Sequence, residues 1–421
     1  MSSKLQHIRG TKDLLPEEFK IHEYIIKIAQ KISGLYGYQP MSTPIVEYAE
    51  VFDRTLGKAS DVISKEMYCF LDKSNEAIAL RPEFTASVIR SFISNGLHHQ
   101  LPLKFFSYGP LFRYDRPQQG RQRQFHQLNF EYIGASSAYT DAEVIKLAND
   151  LLVALNLDSC NSLEINSLGC SESKANYQAK LVEYFTAHKT KLSEDSVKRL
   201  EKNPLRILDS KNEEDKKLVK NAPIMSDYYT NTAKEYFHNV LRYLDLLKIN
   251  YIINPTIVRG LDYYCHTAFE YTTTKLGAQS SVLGGGRYDG LAQIMGGPDT
   301  PAIGFAAGIE RLALIGKYNL PKIRPVMVLP IGDDLISDGL ILTDKLRHLG
   351  ITVDMDIKSK IVKRMQRAVE DNVRYVIFIG EEEKQQGNFK IKDLDKQQEQ
   401  ILNFEKLVDY IKEGNHLEHP Y

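Results

Sequence analysis

Two strand-like segments around a polar, arginine-rich loop constrain the fold of this chain more than any other feature. Lys104 to Phe112 and Gln124 to Ile133 are rich in aromatic residues, which is typical of strands. The loop between them contains Gly120 and is polar almost throughout. We therefore predict an antiparallel β-hairpin with an unusually long tip.

The hairpin carries cationic, aromatic and acidic side chains close together. Its tip and shoulders contain four arginines: Arg113, Arg116, Arg121 and Arg123. Guanidinium groups match phosphate oxygens in a planar, bidentate geometry. Because side chains alternate along a strand, Phe125, Gln127 and Glu131 should share one face. This combination suits a nucleoside triphosphate and a small polar substrate, and a solvated charged hairpin is the alternative interpretation.

Length and composition fit a globular protein of several domains. The chain has 421 residues, more than one compact core usually holds, so we expect two or three domains. The formal net charge of zero argues against nonspecific coating of nucleic acid but allows a local basic surface. No apolar run approaches a membrane span and the first residues lack the apolar core of a secretory signal, so we expect a cytoplasmic protein.

The cysteines show no metal-binding pattern. Cys69, Cys160, Cys170 and Cys265 are scattered, and no two of them have the spacing of a zinc knuckle. We expect buried, reduced thiols and predict no metal site.

The remaining patterns divide the chain into regions. Glu17 to Leu35 has apolar residues at helical spacing, and Ser171 to about Pro223 is a charged, Lys-rich helical stretch that looks like an insertion. We predict a helix from Gly304 to Lys317. A proline-containing linker follows at Lys317 to Pro325, and beyond it strands and helices alternate from Val326 to Ile379, which predicts a small α/β domain.

Four shorter segments combine residues that could serve a site. Arg259 to Tyr264 supplies a cation, an anion and two hydroxyls around a glycine, although a bend with packed tyrosines explains it better when taken alone. Gly284 to Gly286 allows close approach of a ligand but has neither the Walker nor the dinucleotide-binding spacing. Gly304 to Leu312 fits a packing helix with one surface arginine. Leu80 to Ala86 predicts an extended segment with Glu83 and Thr85 on the same side.

The order of these segments resembles the class II aminoacyl-tRNA synthetases. The segment around Arg113 resembles motif 2, Gly304 to Leu312 resembles motif 3, and Pro44 resembles the motif 1 proline at the dimer interface. Arg259 to Tyr264 and Leu283 to Asp289 resemble two signatures particular to histidyl-tRNA synthetases. The stretches 7–16 and 203–209 also resemble that family, so the resemblance covers essentially the whole chain.

The resemblance implies a fold and an activity. The fold is an α+β catalytic domain over residues 1–320, built on an antiparallel sheet flanked by helices, with a helical insertion at about 171–225. Residues 321–421 would form an α/β anticodon-binding domain. The activity is ATP-dependent ligation of histidine to histidine tRNA through histidyl-adenylate, by a homodimer that also needs Mg²⁺ on the β- and γ-phosphates.

The same resemblance implies residue roles for the two small substrates. Seven residues would recognise histidine: Glu83, Thr85, Gln127, Glu131, Tyr263, Tyr264 and Tyr288. The first three would hold the α-ammonium group, Glu131 and Tyr264 would bracket the imidazole, and the other tyrosines would shape the pocket. Four residues would bind ATP: Arg113, Arg121, Phe125 and Arg311. Arg113 and Arg121 would contact phosphates, and Phe125 would stack with Arg311 around the adenine. The catalytic set is Arg113, Arg311 and Arg259, the last replacing a metal ion beside the α-phosphate.

The resemblance implies tRNA contacts in both predicted domains. Arg116, Gln118 and Gln122 in the hairpin tip would meet the acceptor end. Positions 360, 363, 364 and 367 are basic and fall on one helix face, and of these Lys363 and Arg364 are candidates for anticodon phosphates. A solvated basic helix face is the alternative.

Two other functions are compatible with parts of the pattern. One is the regulatory subunit of ATP phosphoribosyltransferase, which resembles the catalytic domain but lacks the anticodon-binding domain and has lost catalytic residues. The other is a class II synthetase for threonine, proline or glycine, against which the Arg259 to Tyr264 signature argues. Two departures from the family pattern stand out: Phe84, where glycine is usual in bacterial relatives, should pack away from Glu83 and Thr85, and Asp115 is shorter than the usual glutamate.

Overall fold

The computed structural model describes residues 5–55, 66–118, 120–208, 210, 212–257, 263–276, 281–320, 324–357 and 360–415. The chain forms two compact units, Met1–Tyr318 and Asn319–Tyr421. No described helix combines the length and the apolar character needed to cross a bilayer.

Strands of the first unit build one large and one small sheet. They are β1 (Gln39–Pro40), β2 (Val46–Tyr48), β3 (Tyr68–Leu71), β4 (Ala77–Leu80), β5 (Leu103–Phe112), β6 (Gln124–Ile133), β7 (Ser162–Ser167), β8 (Ile252–Ile253), β9 (Cys265–Thr272), β10 (Ser281–Arg287) and β11 (Ala302–Gly308). Among the described residues, the large sheet has the order β1-β5-β6-β11-β10-β9-β7-β8 and the small one β2-β4-β3. The large sheet is antiparallel except at its two edges, where β1 and β8 run parallel to their neighbours. The predicted sheet is confirmed, with the correction that it is mixed.

Helices cover both faces of the large sheet. Those of the first unit are α1 (Pro16–Leu35), α2 (Ala49–Thr55), α3 (Thr85–Ser94), α4 (Ala138–Ala154), α5 (Ser171–Ala187), α6 (Glu194–Lys202), α7 (Glu213–Val219), α8 (Asn231–Leu246), α9 (Leu291–Ile294) and α10 (Ile309–Ile315). Helices α1, α4, α8 and α10 contribute to the core on one face. Helices α2, α3 and α9 pack on the other face, where the candidate site lies.

The predicted hairpin forms as expected and sorts its side chains by alternation. β5 and β6 pair antiparallel from Leu103 opposite Ile133 to Phe112 opposite Gln124. Leu128 and Phe130 belong to the core beneath α1 and α4, whereas Ile133 belongs to the opposite core. Glu131 therefore faces the side covered by α3, in agreement with the period of two along a strand.

The Lys-rich region is helical, as predicted, and contains a core of its own. Helices α5 and α6 contribute Leu181, Phe185 and Leu200, and the following short helix contributes Ile207. The buried Asp215 carboxylate accepts hydrogen bonds from Ser193, Ser196 and Ser210 hydroxyls, all within 2.7 Å. These bonds fasten α7 to the start of α6.

The second unit is a sheet with helices, as the alternating pattern predicts. Its elements are β12 (Val326–Pro330), α11 (Ile336–His348), β13 (Val353–Met355), α12 (Ile361–Glu370), β14 (Tyr375–Ile379), α13 (Glu381–Gln385), β15 (Asn388–Asp393), β16 (Gln398–Asn403) and α14 (Phe404–Asn415). Within the described part, the strand order is β13-β12-β14-β15-β16. The first three strands are parallel, and β15 and β16 add an antiparallel hairpin beyond the predicted elements.

Three local predictions are wrong. The helix expected from Gly304 is a strand up to Gly308, because small residues let β11 lie between β6 and β10, and α10 begins only at Ile309. The extended segment expected through Ala86 ends earlier, since α3 begins at Thr85. None of the four cysteines expected to be buried is fully so: Cys69 is exposed, and Cys160, Cys170 and Cys265 are half-buried.

Candidate active site

Glu131 is a fully buried carboxylate at the centre of the site. Its Oε1 accepts hydrogen bonds from Thr85 Oγ1 at 2.5 Å and from Asn129 Nδ2 at 2.9 Å. Its Oε2 accepts one from the Tyr288 hydroxyl. Burial raises the pKa of Glu131 to about 7, although these donors favour its charged form. The carboxylate is thus poised to change charge near neutral pH.

Glu131 retains room for one more hydrogen bond. The two oxygens of a carboxylate can accept about four hydrogen bonds in total. Among the described residues, Oε1 has two donors and Oε2 has only the Tyr288 hydroxyl. A ligand that carries an N–H group can therefore complete the coordination of Oε2 without displacing a protein donor.

Glu83 fixes the start of α3 beside Glu131. Its carboxylate accepts hydrogen bonds from the backbone N–H groups of Thr85 at 2.6 Å and Ala86 at 2.7 Å. A carboxylate at this position caps the first turn and is favoured by the helix dipole. Burial raises the pKa of Glu83, and the two backbone hydrogen bonds oppose that shift. Glu83 and Thr85 are therefore joined, through the Thr85 hydroxyl, to Glu131.

Phe84, between these two residues, packs against Arg81. The Phe84 ring is buried, and the Arg81 guanidinium lies 4.3 Å from its centroid. The glycine-to-phenylalanine departure therefore fills the space behind the site with an aromatic ring.

Three buried tyrosines cluster beside Glu131. Ring centroids are 4.7 Å apart for Tyr263 and Tyr264, and 5.7 Å apart for Tyr263 and Tyr288. Tyr264 and Tyr288 are 6.4 Å apart and perpendicular. Burial raises the pKa of Tyr263 and of Tyr288 well above the ordinary value, so both hydroxyls stay protonated and can donate.

A buried ion pair, which the sequence did not reveal, holds the Tyr288 segment. The Arg287 guanidinium donates to Asp141 at 3.0 Å and to Asp289 at 2.8 Å, and Arg287 is fully buried. Asp289 also accepts the backbone N–H of Ala302 at 3.1 Å. The signal available in the sequence was Arg287 directly after three glycines, but its partner Asp141 is distant along the chain.

The glycines of this region serve close packing of backbone. Gly304 lies opposite Glu131, and a Cβ atom there would overlap the Glu131 carboxylate. A Cβ on Gly285 would overlap the carbonyl of Gly304, and one on Gly286 would overlap that of Thr267. Their role is to let strands and a carboxylate approach each other.

Arginines from the hairpin and from α10 form the cationic side of the site. Arg113 Nε donates to the Pro82 carbonyl at 2.9 Å, and its guanidinium lies 5.4 Å from the Phe125 centroid. Arg311 Nε donates to the Gly120 carbonyl at 3.1 Å. Burial lowers the pKa of Arg311, and the positive charges of Arg121 and Arg113 lower it further. Clustered positive charge of this kind favours an anion.

The other predicted residues are placed as follows. Arg121 forms an ion pair with Asp115 at 2.9 Å. Gln127 lies on β6 and is half-buried, as is Gln122, whereas Arg116 and Gln118 are exposed. Phe125 contacts Arg113, so its stacking with Arg311 stays a prediction. Arg259 lies outside the described residues.

The basic face of α12 is only partly exposed. Lys363 is exposed, but Arg364 is buried and donates to the carbonyls of Pro330 at 2.9 Å and Asp356 at 3.0 Å. Arg367 pairs with the Asp356 carboxylate at 2.7 Å. The expectation of one exposed stripe is wrong for Arg364, because its side chain ties α12 to the sheet.

Comparison with known proteins shows the family to which the chain belongs. The family model described as histidyl-tRNA synthetase matches residues 10–312, more than half of the chain. The chain belongs to the histidyl-tRNA synthetase family. A second family model, the anticodon binding domain, matches residues 325–414. The predicted family is thereby confirmed.

Full-length relatives agree with this membership. Proteins named histidine–tRNA ligase from Rickettsia bellii and Rickettsia felis are 59% and 60% identical, and each alignment covers 98% of this chain and 100% of the relative. The apo histidyl-tRNA synthetase of Staphylococcus aureus aligns with a TM-score of 0.82 at 32% identity, over 97% of this chain and 100% of that structure. The predicted class II fold is confirmed by this similarity.

Proposed function

We propose that this chain ligates L-histidine to histidine tRNA, using ATP and passing through histidyl-adenylate, with release of AMP and diphosphate. The observation that carries the proposal is the buried Glu131 carboxylate on β6, which has one open acceptor position among the described residues. The strand that carries it begins just after the hairpin tip, whose arginines cluster with Arg311 of α10. Membership of the histidyl-tRNA synthetase family and the names of the full-length relatives support it.

Glu131 is proposed to recognise the imidazole ring. Near neutral pH, imidazole is mostly uncharged and offers one N–H donor and one acceptor nitrogen. Glu131 Oε2 would accept the N–H, and the Tyr264 hydroxyl would donate to the other nitrogen. Tyr263 and Tyr288 would close the pocket around the ring. A site with both contacts leaves buried groups unpaired when it holds an analogue that lacks them, which is a strong basis for selectivity.

Three residues are proposed to hold the α-ammonium group of histidine. Glu83 and Thr85 lie together at the start of α3. Gln127 lies on the site face of β6, two residues before Asn129. The Glu83 carboxylate supplies negative charge in a buried setting, where attraction to a cation is strong. This orientation would direct the histidine carboxylate towards the arginines.

The arginines are proposed to bind ATP and to stabilise the transition state. As the histidine carboxylate attacks the α-phosphorus, negative charge grows on the phosphoryl oxygens and the departing diphosphate. Arg113 and Arg259 would face the α-phosphate, Arg121 would contact a further phosphate, and Phe125 and Arg311 would enclose the adenine. Fixed positive charge placed before the reaction contributes much of the rate enhancement in such transfers. Mg²⁺ would enter with the substrate, bound to the β- and γ-phosphates.

The tRNA is proposed to contact both units. Arg116, Gln118 and Gln122 in the hairpin tip would meet the acceptor end. The second unit would serve as the anticodon-binding domain, with the exposed Lys363 and its exposed neighbour Lys360 facing phosphates. The catalytic domain would comprise residues 1–320 with its insertion at about 171–225, and the anticodon-binding domain residues 321–421. We exclude Arg364 from the proposed tRNA contacts because its guanidinium is buried and donates to backbone carbonyls.

A homodimer in the cytoplasm is proposed as the working form. The small sheet after Pro44 exposes a group of large apolar side chains: Val46, Tyr48, Phe70 and Leu71. An exposed apolar group of this size favours burial against another protein surface. A second copy of this chain would cover it, which sedimentation equilibrium of the purified chain tests directly.

The activity is tested by histidine-dependent exchange of diphosphate into ATP. Purified chain is assayed with each of the twenty amino acids and then with total tRNA for aminoacylation. We expect exchange with histidine and charging of histidine tRNA. Exchange with threonine, proline or glycine in place of histidine would overturn the proposal. Folded protein that binds histidine without any exchange would instead point to the regulatory role.

A further inference from the structure

Three potential metal ligands lie together on the face of the sheet that α1 and α10 cover, opposite the three tyrosines. His22 lies on α1, His126 on β6 and Glu310 at the start of α10. One ligand atom from each of the three lies within 4.8 Å of the others. These residues are not part of the proposed histidine or ATP sites, and the scattered cysteines contribute nothing to them.

Glu310 and His126 are already arranged in a way that suits a metal site. The Glu310 Oε1 atom lies 2.9 Å from His126 Nδ1. The backbone N–H of His126 donates to both carboxylate oxygens, at 2.8 and 3.0 Å. If Oε1 bound an ion, Oε2 could keep the backbone hydrogen bond. Outer hydrogen bonds of this kind orient ligating carboxylates in metal sites.

His22 is the observation that points to a ligand. Its side chain is only 5% exposed, and its ring lies edge-on to that of His126, with centroids 5.5 Å apart. Within the described part of the chain, the His22 ring makes no hydrogen bond. A metal ion is one partner that satisfies a ring nitrogen without a proton.

We propose that His22, His126 and Glu310 form a site for a divalent transition-metal ion of the zinc type. Two imidazole nitrogens and one carboxylate oxygen are a usual zinc ligand set, with water in the fourth position. Metal–ligand distances of about 2.0–2.2 Å place tetrahedral ligand atoms roughly 3.4 Å apart. The 2.9 Å pair opens slightly and the widest pair closes from at most 4.8 Å, movements that side-chain rotation supplies.

Such an ion would join α1 to two elements that carry residues of the proposed active site. β6 also holds Phe125 and Gln127 next to His126, and α10 holds Arg311 next to Glu310. The ion would therefore stabilise the folded catalytic unit and fix the start of α10. An ion that binds only the folded chain raises its stability by mass action.

Binding is tested on the full-length chain after dialysis against a chelator. Co²⁺ is titrated while its visible absorption is recorded, and Zn²⁺ is titrated by calorimetry and in thermal unfolding. We expect saturable binding of one ion per chain, a rise in Tm with Zn²⁺, and displacement of Co²⁺ by Zn²⁺. Absence of saturable binding would overturn the proposal.

Single variants test whether His22 is a ligand of the bound ion. His22→Phe keeps an aromatic ring in the core and removes the ligand, and His348→Asn removes an exposed histidine of the second unit as a control. We expect Co²⁺ affinity to fall by at least about tenfold in His22→Phe and to stay unchanged in the control. If His22→Phe does not fold, His22→Gln replaces it. Equal affinity in the folded His22 variant and the original chain would overturn the assignment.

Discussion

Gly304 on β11 lies directly opposite Glu131 on β6, and the absence of a side chain at Gly304 makes room for the Glu131 carboxylate. The same carboxylate accepts hydrogen bonds from Thr85, Asn129 and Tyr288, which come from three different parts of the chain. The position of the proposed imidazole-binding group thus depends on a glycine of the neighbouring strand, which is distant in sequence.

Gly304→Ala should displace the Glu131 carboxylate, because the added Cβ overlaps it. We expect the KM for histidine in ATP–diphosphate exchange to rise roughly 10- to 100-fold, as for loss of a hydrogen bond to a charged group. The KM for ATP should change little. Gly290→Ala is the matched control, since a Cβ there meets nothing within 4 Å. An unchanged histidine KM in folded Gly304→Ala would contradict the arrangement.

Histidine binding should weaken as the pH falls through about 7. Burial raises the pKa of Glu131 to about 7, so its carboxylate form, which accepts the imidazole N–H, is present above that pH and lost below it. Calorimetric titration of histidine from pH 6 to 8.5 measures the effect.

Glu131→Gln separates the titration of the enzyme from that of histidine itself. The variant should bind histidine weakly, discriminate poorly between histidine and near analogues, and lose the part of the pH dependence that belongs to Glu131. Identical pH profiles and unchanged discrimination in the variant would exclude Glu131 as the group responsible.

Arg259→His should depress adenylation far more than histidine binding. A charge that acts mainly in the transition state lowers kcat when it is lost, here by about 10²–10³-fold, and leaves KM for histidine nearly unchanged. Steady-state exchange kinetics distinguish the two parameters. A mainly KM effect would place Arg259 in ground-state binding instead.

Charge reversal at the start of α12 should weaken the reaction with tRNA and leave adenylation unchanged. The double variant Lys360→Glu and Lys363→Glu should weaken aminoacylation and spare ATP–diphosphate exchange, because both lysines are exposed and lie in the second unit. The salt dependence of tRNA binding should become less steep by roughly one per lost phosphate contact. Lys406→Glu on α14 is the control. Equal losses of ATP–diphosphate exchange and of aminoacylation would contradict the proposed contact of these lysines with tRNA.

Arg364 should matter for stability, in contrast to its neighbour. Arg364→Ala leaves the buried carbonyls of Pro330 and Asp356 without that donor, so we expect a loss of about 1–3 kcal/mol in the free energy of unfolding of the second unit. Lys363→Ala, at an exposed position, should stay within about 0.5 kcal/mol. Chemical denaturation of both variants makes the comparison, and similar values would refute the buried role.

The sequence by itself determined the elements whose signals are local. Strand-like segments around a polar loop predicted the hairpin of β5 and β6, and alternation of side chains predicted the face on which Glu131 lies. Helical spacing predicted α1 and the inserted helices. The order of the segments also led to the right family, because spacing along the chain is read without knowing the fold. The prediction was wrong at Gly304 to Gly308, where small residues fit a helix and a tightly packed strand equally well.

Tertiary structure alone decided the contacts between residues far apart in sequence. Arg287 with Asp141, Glu131 with Thr85 and Tyr288, and the convergence of His22 with His126 and Glu310 depend on how strands and helices pack. Arg364 shows the same limit, since helical spacing gave its face but could not show that β12 and the Asp356 segment cover it. Local patterns set which way a side chain points; only packing decides what it meets there and whether water reaches it.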